Sequence, residues 1–324
     1  MKVSGGLFSS LRSPVVYLFI LFTAIAFLIP IFVRTPYILF ILYLCYIYVV
    51  QAENWNLIGG FAGQISLGHA AFFGIGCYTT AMMWIAGYPP ILGIVLGGLL
   101  AAGFAVFLFP TFRLRGTYFA IGTLFLAAAL QGFLLNWKFV GAGEGLYLPV
   151  PKEFLIEPFY YMALVLALAS TVTCYMIAKS GVGLTFKAIS EDDFAAASIG
   201  VGITRYKVLA LVISAFFFGL SGGVYGHYQA FIDAYSIFGI YWGVTGLFMA
   251  IIGGTGTVVG PILGTFLLTI ISEYLAKLGE IRLLVYSVAV IIVIRFAPEG
   301  IWGIITKKVR PRLKTYIEKS KPLK

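Results

Sequence analysis

Apolar runs of helix length dominate the chain. They recur from residue 15 to residue 296, and the short segments between them carry most of the charged residues. A helix needs about 20 apolar residues to cross the hydrocarbon core of a bilayer, whereas a barrel strand shows about ten residues of alternating character. The runs therefore predict an all-α integral membrane protein, a polytopic bundle of about ten transmembrane helices. The predicted spans are Val15–Val33, Tyr37–Ala52, Phe61–Ala86, Ile91–Phe112, Thr117–Leu135, Phe159–Ala178, Tyr206–Phe231, Ile237–Ile252, Val258–Leu278 and Leu283–Phe296.

Glycines interrupt two of these spans. The stretch from Gly59 to Met83 contains six glycines and the polar residues Gln64, Ser66 and His69, and the stretch from Gly253 to Gly264 is broken in a similar way. In hydrocarbon a broken backbone persists only where it is buried in protein or lines a cavity. Paired interruptions in the two halves of a chain point to a transport site near the membrane midplane. Both segments are therefore candidates for a passage and for partly unwound or re-entrant structure.

The composition supports a membrane protein. Of the 324 residues, 61% are hydrophobic and 10% are charged, whereas soluble domains carry about 25% charged residues. Cys45, Cys77 and Cys174 lie inside apolar runs without metal-binding or redox spacing. We therefore expect them to be small core residues, and the sequence predicts no metal site.

The basic residues predict the orientation. If the N-terminus is cytoplasmic, the predicted cytoplasmic segments contain 17 of the 22 basic residues, as the positive-inside rule requires. Both termini are then cytoplasmic, with a transmembrane domain over residues 1–305 and a basic cytoplasmic tail over residues 306–324. The net charge of +10 fits attraction to anionic membrane lipid and indicates no nucleic-acid partner.

Several glycines stand four residues apart. This spacing lets two helix backbones approach closely in lipid, and it predicts tight packing either within the chain or against a second subunit. The sets are Gly93 and Gly97, Gly219 and Gly223, Gly239 and Gly243, and Gly256, Gly260 and Gly264.

The longest predicted cytoplasmic loop covers residues 179–207. Ser190 is predicted to cap a short helix whose first turn holds Glu191, Asp192 and Asp193, because acids favour a helix start. Gly200 is suited to end this helix. The helix would expose Phe194 outside the membrane, so it is either a plain connector or a docking helix for a soluble partner.

The residues from Gly63 to Gly76, GQISLGHAAFFGIG, followed by Tyr78, resemble the signature of LivM-type permeases of branched-chain amino acid ABC transporters. Four further stretches are similar in the same order, and the resemblance covers roughly residues 15 to 300. Ser190 departs from the family pattern, which commonly has Arg there, and Thr117 replaces the usual acid. The further stretches are Leu114–Ile121, Gly141–Leu146, Phe186–Lys207 and Gly253–Gly264.

The resemblance implies a multi-pass subunit of a bacterial or archaeal cytoplasmic membrane. Its implied partners are a second related permease, two cytoplasmic ATPase subunits and an external substrate-binding protein. The chain has no G-x-x-x-x-G-K-[ST] phosphate loop, so ATP would be hydrolysed by the partner subunits. The chain itself is therefore expected to be a transport subunit, not an enzyme, without a cofactor of its own.

Polar groups inside spans are functional-site hypotheses by default, and they define the predicted substrate pathway together with the interrupting glycines. The alternatives are a structural, hydrogen-bonded His69 and a core role for Phe72. The pathway set is Asn54, Asn56, Gly63, Gln64, Ser66, Gly68, His69, Phe72, Gly253 and Gly254. The predicted ATPase-coupling set is Lys187, Ser190, Glu191, Asp192, Asp193, Phe194 and Gly200.

Other functions stay open at this point. An importer of urea or short amides would look similar. A secondary transporter would need intramembrane carboxylates, and the predicted spans offer only Glu53 and Glu273 near their ends. An intramembrane hydrolase could use Ser66 with His69 or His227, but no orienting acid accompanies Ser66 and His69. His227 and Asp233 form either an interfacial pair or no pair.

Overall fold

The structure, a computed structural model, describes residues 14–33, 35–114, 116–149, 155–275, 288, 291–292, 295–296 and 299–307. Almost all described elements are helical. The helices are α1 (Pro14–Phe32), α2 (Pro36–Asn56), α3 (His69–Ile85), α4 (Pro90–Phe107), α5 (Thr117–Asn136), α6 (Glu157–Lys179), α7 (Gly181–Glu191), α8 (Asp193–Ser198), α9 (Ile203–Tyr228), α10 (Ala234–Ile237), α11 (Ile240–Gly253) and α12 (Val259–Leu275). Two short strands, β1 (Leu146–Tyr147) and β2 (Phe231–Ile232), pair antiparallel with Leu146 opposite Ile232.

The helices confirm the predicted all-α membrane class. Within the described ranges, six helical stretches are long and apolar enough to cross a membrane, and two shorter apolar helices accompany them. The count of ten spans and the cytoplasmic location of the termini stay predictions, and most of the predicted span Leu283–Phe296 lies outside the described residues. The six stretches are Pro36–Phe61, Pro90–Phe107, Thr117–Asn136, Glu157–Lys179, Ile203–Tyr228 and Ala234–Gly253.

The first interrupted span is partly unwound, which is one of the predicted alternatives to a continuous helix over residues 61–86. The preceding helix does not end at Ala52: α2 continues to Asn56, and a π turn follows over Leu57–Phe61. Residues 62–68 are not helical, and α3 begins at His69. The polar residues that extend α2 form hydrogen bonds with Ser170 and Thr171 on α6. The helical stretch ends before Gly63, whose φ of 68° is a conformation that non-glycine residues rarely adopt.

Helix α2 is the centre of the bundle. It packs against α6, α9, α11 and α12, and every side chain from Cys45 to Asn56 is buried. A helix that is apolar on all sides belongs inside a bundle. The polar residues near the end of α2 are buried as well, and their side chains form part of the candidate functional site. Cys45, Cys77 and Cys174 are buried and free, as predicted for core residues.

The small residues mark internal contacts. Gly76 on α3 meets Gly219 on α9, and a Cβ added to Gly97 on α4 would lie 2.8 Å from the Gly76 Cα. These contacts bring α3, α4 and α9 together, as small residues do in membrane bundles. The predicted close packing is therefore found here within the chain itself. Gly264 on α12 similarly packs against Gly253 at the end of α11.

The predicted cap of the loop helix is wrong. Ser190 lies in the last turn of α7, which ends at Glu191, and Asp192 caps α8 by accepting from the backbone N–H groups of Phe194 at 2.8 Å and Ala195 at 3.1 Å. Asp192 has the extended backbone conformation that an N-cap needs. Ser190 instead lies within the preceding helix α7. Gly200 follows α8 at φ 86°, as expected for a residue that ends a helix.

Candidate functional site

The two glycine interruptions meet at Asn56. Its side-chain Nδ2 donates to the Thr257 carbonyl at 2.7 Å, and its Oδ1 accepts from the Gly256 N–H at 2.8 Å. Asn56 is 1% exposed, so one buried amide satisfies two backbone groups of the second interruption. The sequence placed Asn56 only at the flank of the first interruption, but the structure makes it the link between the two.

Neighbouring side chains satisfy the backbone of the first interruption. The Trp55 indole N–H donates to the Ser66 carbonyl at 2.8 Å, and the Leu67 N–H donates to the Thr123 hydroxyl at 3.1 Å. The Gln64 N–H donates back to the Ile58 carbonyl at 2.9 Å. Unwound backbone at membrane depth requires such partners, and here they come from α2, α5 and the π turn.

The second interruption is a tight turn between α11 and α12. Gly254 and Gly256 have φ values of 122° and 71°, which suit glycine because it lacks a Cβ. The Thr257 hydroxyl donates to the Gly254 carbonyl at 2.8 Å and accepts from the Gly260 N–H at 3.1 Å. The hydrogen bonds of Thr257 therefore close the turn, and those of Asn56 attach it to the end of α2 beside the first interruption.

A cavity of about 960 Å³ lies where both interruptions approach α6 and α7. Its walls are mainly apolar, and three charged side chains, Lys179, Lys187 and Glu191, belong to the α6 and α7 walls. It unites the interruptions with part of the predicted coupling segment. The lining includes Gly60, Phe61, Thr171, Val172, Tyr175, Lys179, Leu184, Lys187, Ser190, Glu191, Gly256, Thr257, Val258, Val259 and Ile262.

Several predicted pathway residues lie away from this cavity. His69 is fully buried, its Nε2 lies 2.9 Å from the Ser214 hydroxyl, and its ring packs against Phe218 at 4.6 Å between centroids. The Phe72 ring packs edge to face against the same imidazole at 5.6 Å between centroids. These contacts are those of the structural alternative for His69 and the core alternative for Phe72.

The glycines and polar residues around Ser66 have packing contacts of their own. Gln64 and Ser66 are buried. A Cβ at Gly68 would press on the Thr123 backbone, and a Cβ at Gly63 would lie 2.7 Å from the Ser190 hydroxyl oxygen. Ser190 therefore joins the end of α7 to the first interruption, although it is not the cap that the sequence suggested.

A polar cluster at the end of α2 was largely missed from the sequence. The Asn54 Nδ2 donates to the Ser170 hydroxyl at 2.6 Å, and the hydroxyls of Ser170 and Thr171 donate to Glu53 Oε2 at 3.1 Å and 2.9 Å. All four residues are buried. The available signal was an acid near a span end together with adjacent Ser and Thr in an otherwise apolar helix.

The segment α7–α8 exposes apolar side chains. Leu184, Phe194 and Ile199 are 72%, 69% and 78% exposed. Lys207 on α9 donates to Asp193 Oδ2 at 2.6 Å, which anchors the start of α8 to the bundle. The segment is therefore anchored to α9 at the start of α8 and exposes apolar side chains on both sides of that anchor.

The groups that a hydrolase would need are used elsewhere. The sequence from Gly219 to Gly222 has the G-x-S-G spacing, but Ser221 lies within α9 and donates to the Phe218 carbonyl at 2.8 Å. Asp233 accepts from the Ser236 N–H at 2.9 Å, and the His227 ring packs edge-on against Trp84 at 4.9 Å. The part of the chain that the structure describes contains no cluster of three His, Cys, Asp or Glu residues suited to a metal.

The comparison with known proteins decides the family. The family described as the permease component of branched-chain amino acid transport systems matches residues 37–295. The chain belongs to this family. The resemblance found in the sequence is thereby confirmed, and the membrane-embedded bundle described above is that of a transport permease. The family is one of transport permease components, in agreement with the expected class.

The relatives of this permease carry related names. The high-affinity branched-chain amino acid transport system permease proteins LivM of Salmonella typhimurium and Escherichia coli are each 27% identical over 306 residues, covering 83% of this chain and 69% of theirs. The autoinducer 2 import system permease protein LsrC of Yersinia pestis is 27% identical over 227 residues, covering 66% of this permease and 63% of its own length. No solved structure matches this permease.

Proposed function

We propose that the chain is the membrane-spanning permease subunit of an ATP-binding cassette importer for branched-chain or related amino acids. An external binding protein delivers the substrate, a second related permease completes the pathway, and two separate ATPase subunits drive alternating access. The observation that carries the proposal is the cavity at which both interruptions and α7 converge. A site that unites broken spans with an element outside them has the parts that such a transporter needs.

Asn56 connects the first interruption to the second, and these two segments move relative to each other during transport. Its two hydrogen bonds attach the second interruption to the end of α2. Such bonds are worth about 0.5–1.5 kcal/mol each, so they can be exchanged during a transport cycle. Repacking near Gly60 and Gly256 needs little side-chain movement because neither residue has a Cβ to displace. The cavity can thereby change its access without unfolding a helix.

The α7–α8 segment transmits the ATPase movement. We place it on the cytoplasmic side, as the positive-inside pattern predicts. Lys187, Ser190 and Glu191 line the cavity wall, while Asp192, Asp193 and Phe194 form the start of α8. Exposed apolar groups outside the bilayer indicate a protein partner, and a groove on an ATPase subunit is the partner proposed here.

The lining of the cavity fits an amino acid with an apolar side chain. Tyr175, Val172 and Ile262 supply apolar contacts, and the ammonium groups of Lys179 and Lys187 and the carboxyl group of Glu191 provide opposite charges for a zwitterion. Ligand sites commonly combine an apolar wall with a few placed polar groups. This lining favours branched-chain amino acids over the urea or short-amide alternative.

The test is reconstitution in vesicles with a defined set of subunits. Uptake of labelled leucine is expected only with the second permease, the ATPase subunits, the binding protein and ATP. Uptake by this chain alone would contradict the proposal and favour a secondary transporter, for which the buried Glu53 is the supporting observation. Thermal stabilisation of the binding protein by individual ligands would identify the substrate, because delivery begins there.

A further inference from the structure

Glu53 is a carboxyl group sealed inside the bundle. It is 1% exposed, and its Oε2 accepts from the hydroxyls of Ser170 and Thr171 on α6. The ion pairs found in the described ranges join Lys207 to Asp193 and Lys307 to Glu299, so no described cation is paired with Glu53. Two neutral donors converge on one oxygen of a group at membrane depth.

The charged groups of the surrounding helices do not compensate this carboxyl group. The helices packed against α2 are α6, α9, α11 and α12, and the thiol of Cys174 on α6 faces the Glu53 carbonyl at 3.8 Å. None of the charged or titratable groups of these helices forms a salt bridge with Glu53 in the described structure. Besides Cys174 and tyrosines, they are Glu157 and Lys179 on α6, Arg205, Lys207 and His227 on α9, and Glu273 on α12.

The balance of donors and acceptors favours the protonated acid. Within the described structure, Glu53 Oε1, Asn54 Oδ1 and both polar atoms of the Gln51 amide have no hydrogen-bond partner. An ionised Glu53 keeps Oε1 as an unsatisfied acceptor and places an unpaired charge in an apolar interior, which is very costly. A proton on Oε1 removes the charge and replaces this unsatisfied acceptor with an O–H group.

The position of Glu53 links it to the cavity and to the second interruption. Thr171 donates to Glu53 and also lines the cavity, so a single side chain separates the carboxyl group from that space. Asn56 follows Glu53 by three residues, and residues at this spacing share a helix face. If the hydrogen bonds between Glu53 and α6 changed, the position of Asn56 on the same helix face would therefore change with them.

We propose that Glu53 is a proton-binding site of the span. In the state described here it is a neutral carboxylic acid that ties α2 to α6 and thereby holds Asn56 against the second interruption. At alkaline pH the carboxyl group loses its proton to water in the cavity when the wall at Thr171 opens, and the weakened tie then slows transport. Glu53 is thus a positioning residue of the transport cycle, a role that rests on the proposed function only where transport is the readout.

Infrared difference spectroscopy on the full chain in lipid nanodiscs tests the protonation directly. The spectrum of the wild type minus that of Glu53→Gln is expected to show the carbonyl stretch of a protonated carboxylic acid at neutral pH, and this band should disappear at alkaline pH. The matched control is Glu273→Gln, because Glu273 accepts from the exposed Tyr37 at 2.7 Å, and this variant should keep the Glu53 band. Absence of the Glu53 band at neutral pH would overturn the proposal.

Transport in the reconstituted complex tests the consequence. Glu53→Gln should retain uptake, since an amide keeps the acceptor and supplies a donor, whereas Glu53→Ala should lose about tenfold, equivalent to about 1.4 kcal/mol. Wild-type uptake should fall at alkaline pH, and Glu53→Gln should not show this fall. A Gln variant that folds but is as inactive as Ala, or one with the wild-type pH profile, would refute the role. If the wild type imports no amino acid, the proposed function fails, while the infrared result still decides the state of Glu53.

Discussion

The two glycine interruptions look alike in sequence but use their glycines differently. In the first, Gly63 is the only glycine between residues 57 and 68 with a positive φ, and the others serve mainly close packing. In the second, Gly254 and Gly256 both have positive φ and turn the chain between two helices. Packing glycines tolerate change wherever a neighbouring side chain can yield, whereas conformational glycines do not. The second interruption should therefore be the less tolerant of the two.

The interruptions also differ in what supports them. The first accepts a hydrogen bond from the Trp55 indole and donates one to the Thr123 hydroxyl, so two helices hold it in place. The second is closed internally by Thr257 and attached to α2 through Asn56. A segment with few attachments can move as a unit when one of them is released. We therefore expect the second interruption to move more readily than the first.

The largest effect is expected at Gly253. A Cβ there would collide with the backbone of Gly260, and overpacking of this kind costs about 1–3 kcal/mol or more. Gly253→Ala should lower the free energy of unfolding by that amount and abolish uptake, as measured by thermal unfolding in detergent and by vesicle transport. Gly103→Ala is the control, because nothing lies within 4 Å of its added Cβ. Equal stability of both variants would show that the second interruption tolerates a Cβ at Gly253.

Asn56 should give the next largest effect. Asn56→Ala removes both bonds to the second interruption, at a cost of about 0.5–1.5 kcal/mol each, because Gly256 is exposed and Thr257 is half-buried. Hydrogen exchange at the Gly256 amide should become faster, while exchange at Leu67 should stay slow because Thr123 still accepts from it. Asn56→Asp keeps an acceptor for Gly256 and should slow exchange there relative to Ala. Faster exchange at both amides would show that the interruptions move together.

Charge reversal at the α7–α8 junction should separate uptake from ATP hydrolysis. Replacing Glu191, Asp192 and Asp193 by Lys removes the cap of α8, worth about 1 kcal/mol, and the ion pair with Lys207. We expect the complex to assemble and hydrolyse ATP while uptake falls. The single variant Asp192→Asn keeps a capping side chain and serves as the control. If the triple variant imports like the wild type, the segment does not couple the ATPase to the permease.

The sequence predicted the fold class well because helix-length apolar runs admit few structures in a bilayer. It also identified the glycine-broken stretch Gly253–Gly264 as the counterpart of the stretch Gly59–Met83. It could not show that Asn56 accepts a hydrogen bond from Gly256, 200 residues further along the chain, since such a contact depends on how the helices pack. The same applies to Glu53, whose partners Ser170 and Thr171 are more than 100 residues away.

Local signals were misleading where two residues compete for one role. Ser190, Asp192 and Asp193 all resemble helix-start residues, and the sequence favoured Ser190. The structure uses Asp192 because α7 already occupies the chain up to Glu191. His69 was a candidate for the pathway because of its polarity, but the Ser214 hydroxyl that hydrogen bonds with it is 145 residues away. Tertiary contacts decide the cap and give His69 a structural partner, while its place in the pathway stays a prediction.

The smallest effect is expected at Ser66 in the first interruption. Its hydroxyl is buried without a hydrogen-bond partner in the described structure, and its contribution to the fold is the backbone carbonyl that accepts from Trp55. Ser66→Ala keeps that carbonyl and removes a buried hydroxyl without a partner in the described structure, so the free energy of unfolding should not fall and uptake should stay near the wild-type level. Ser214→Ala, which removes the partner of His69, should cost more. A selective loss of uptake in a stable Ser66→Ala variant would instead place this hydroxyl in contact with substrate, and would make the first interruption a part of the moving pathway.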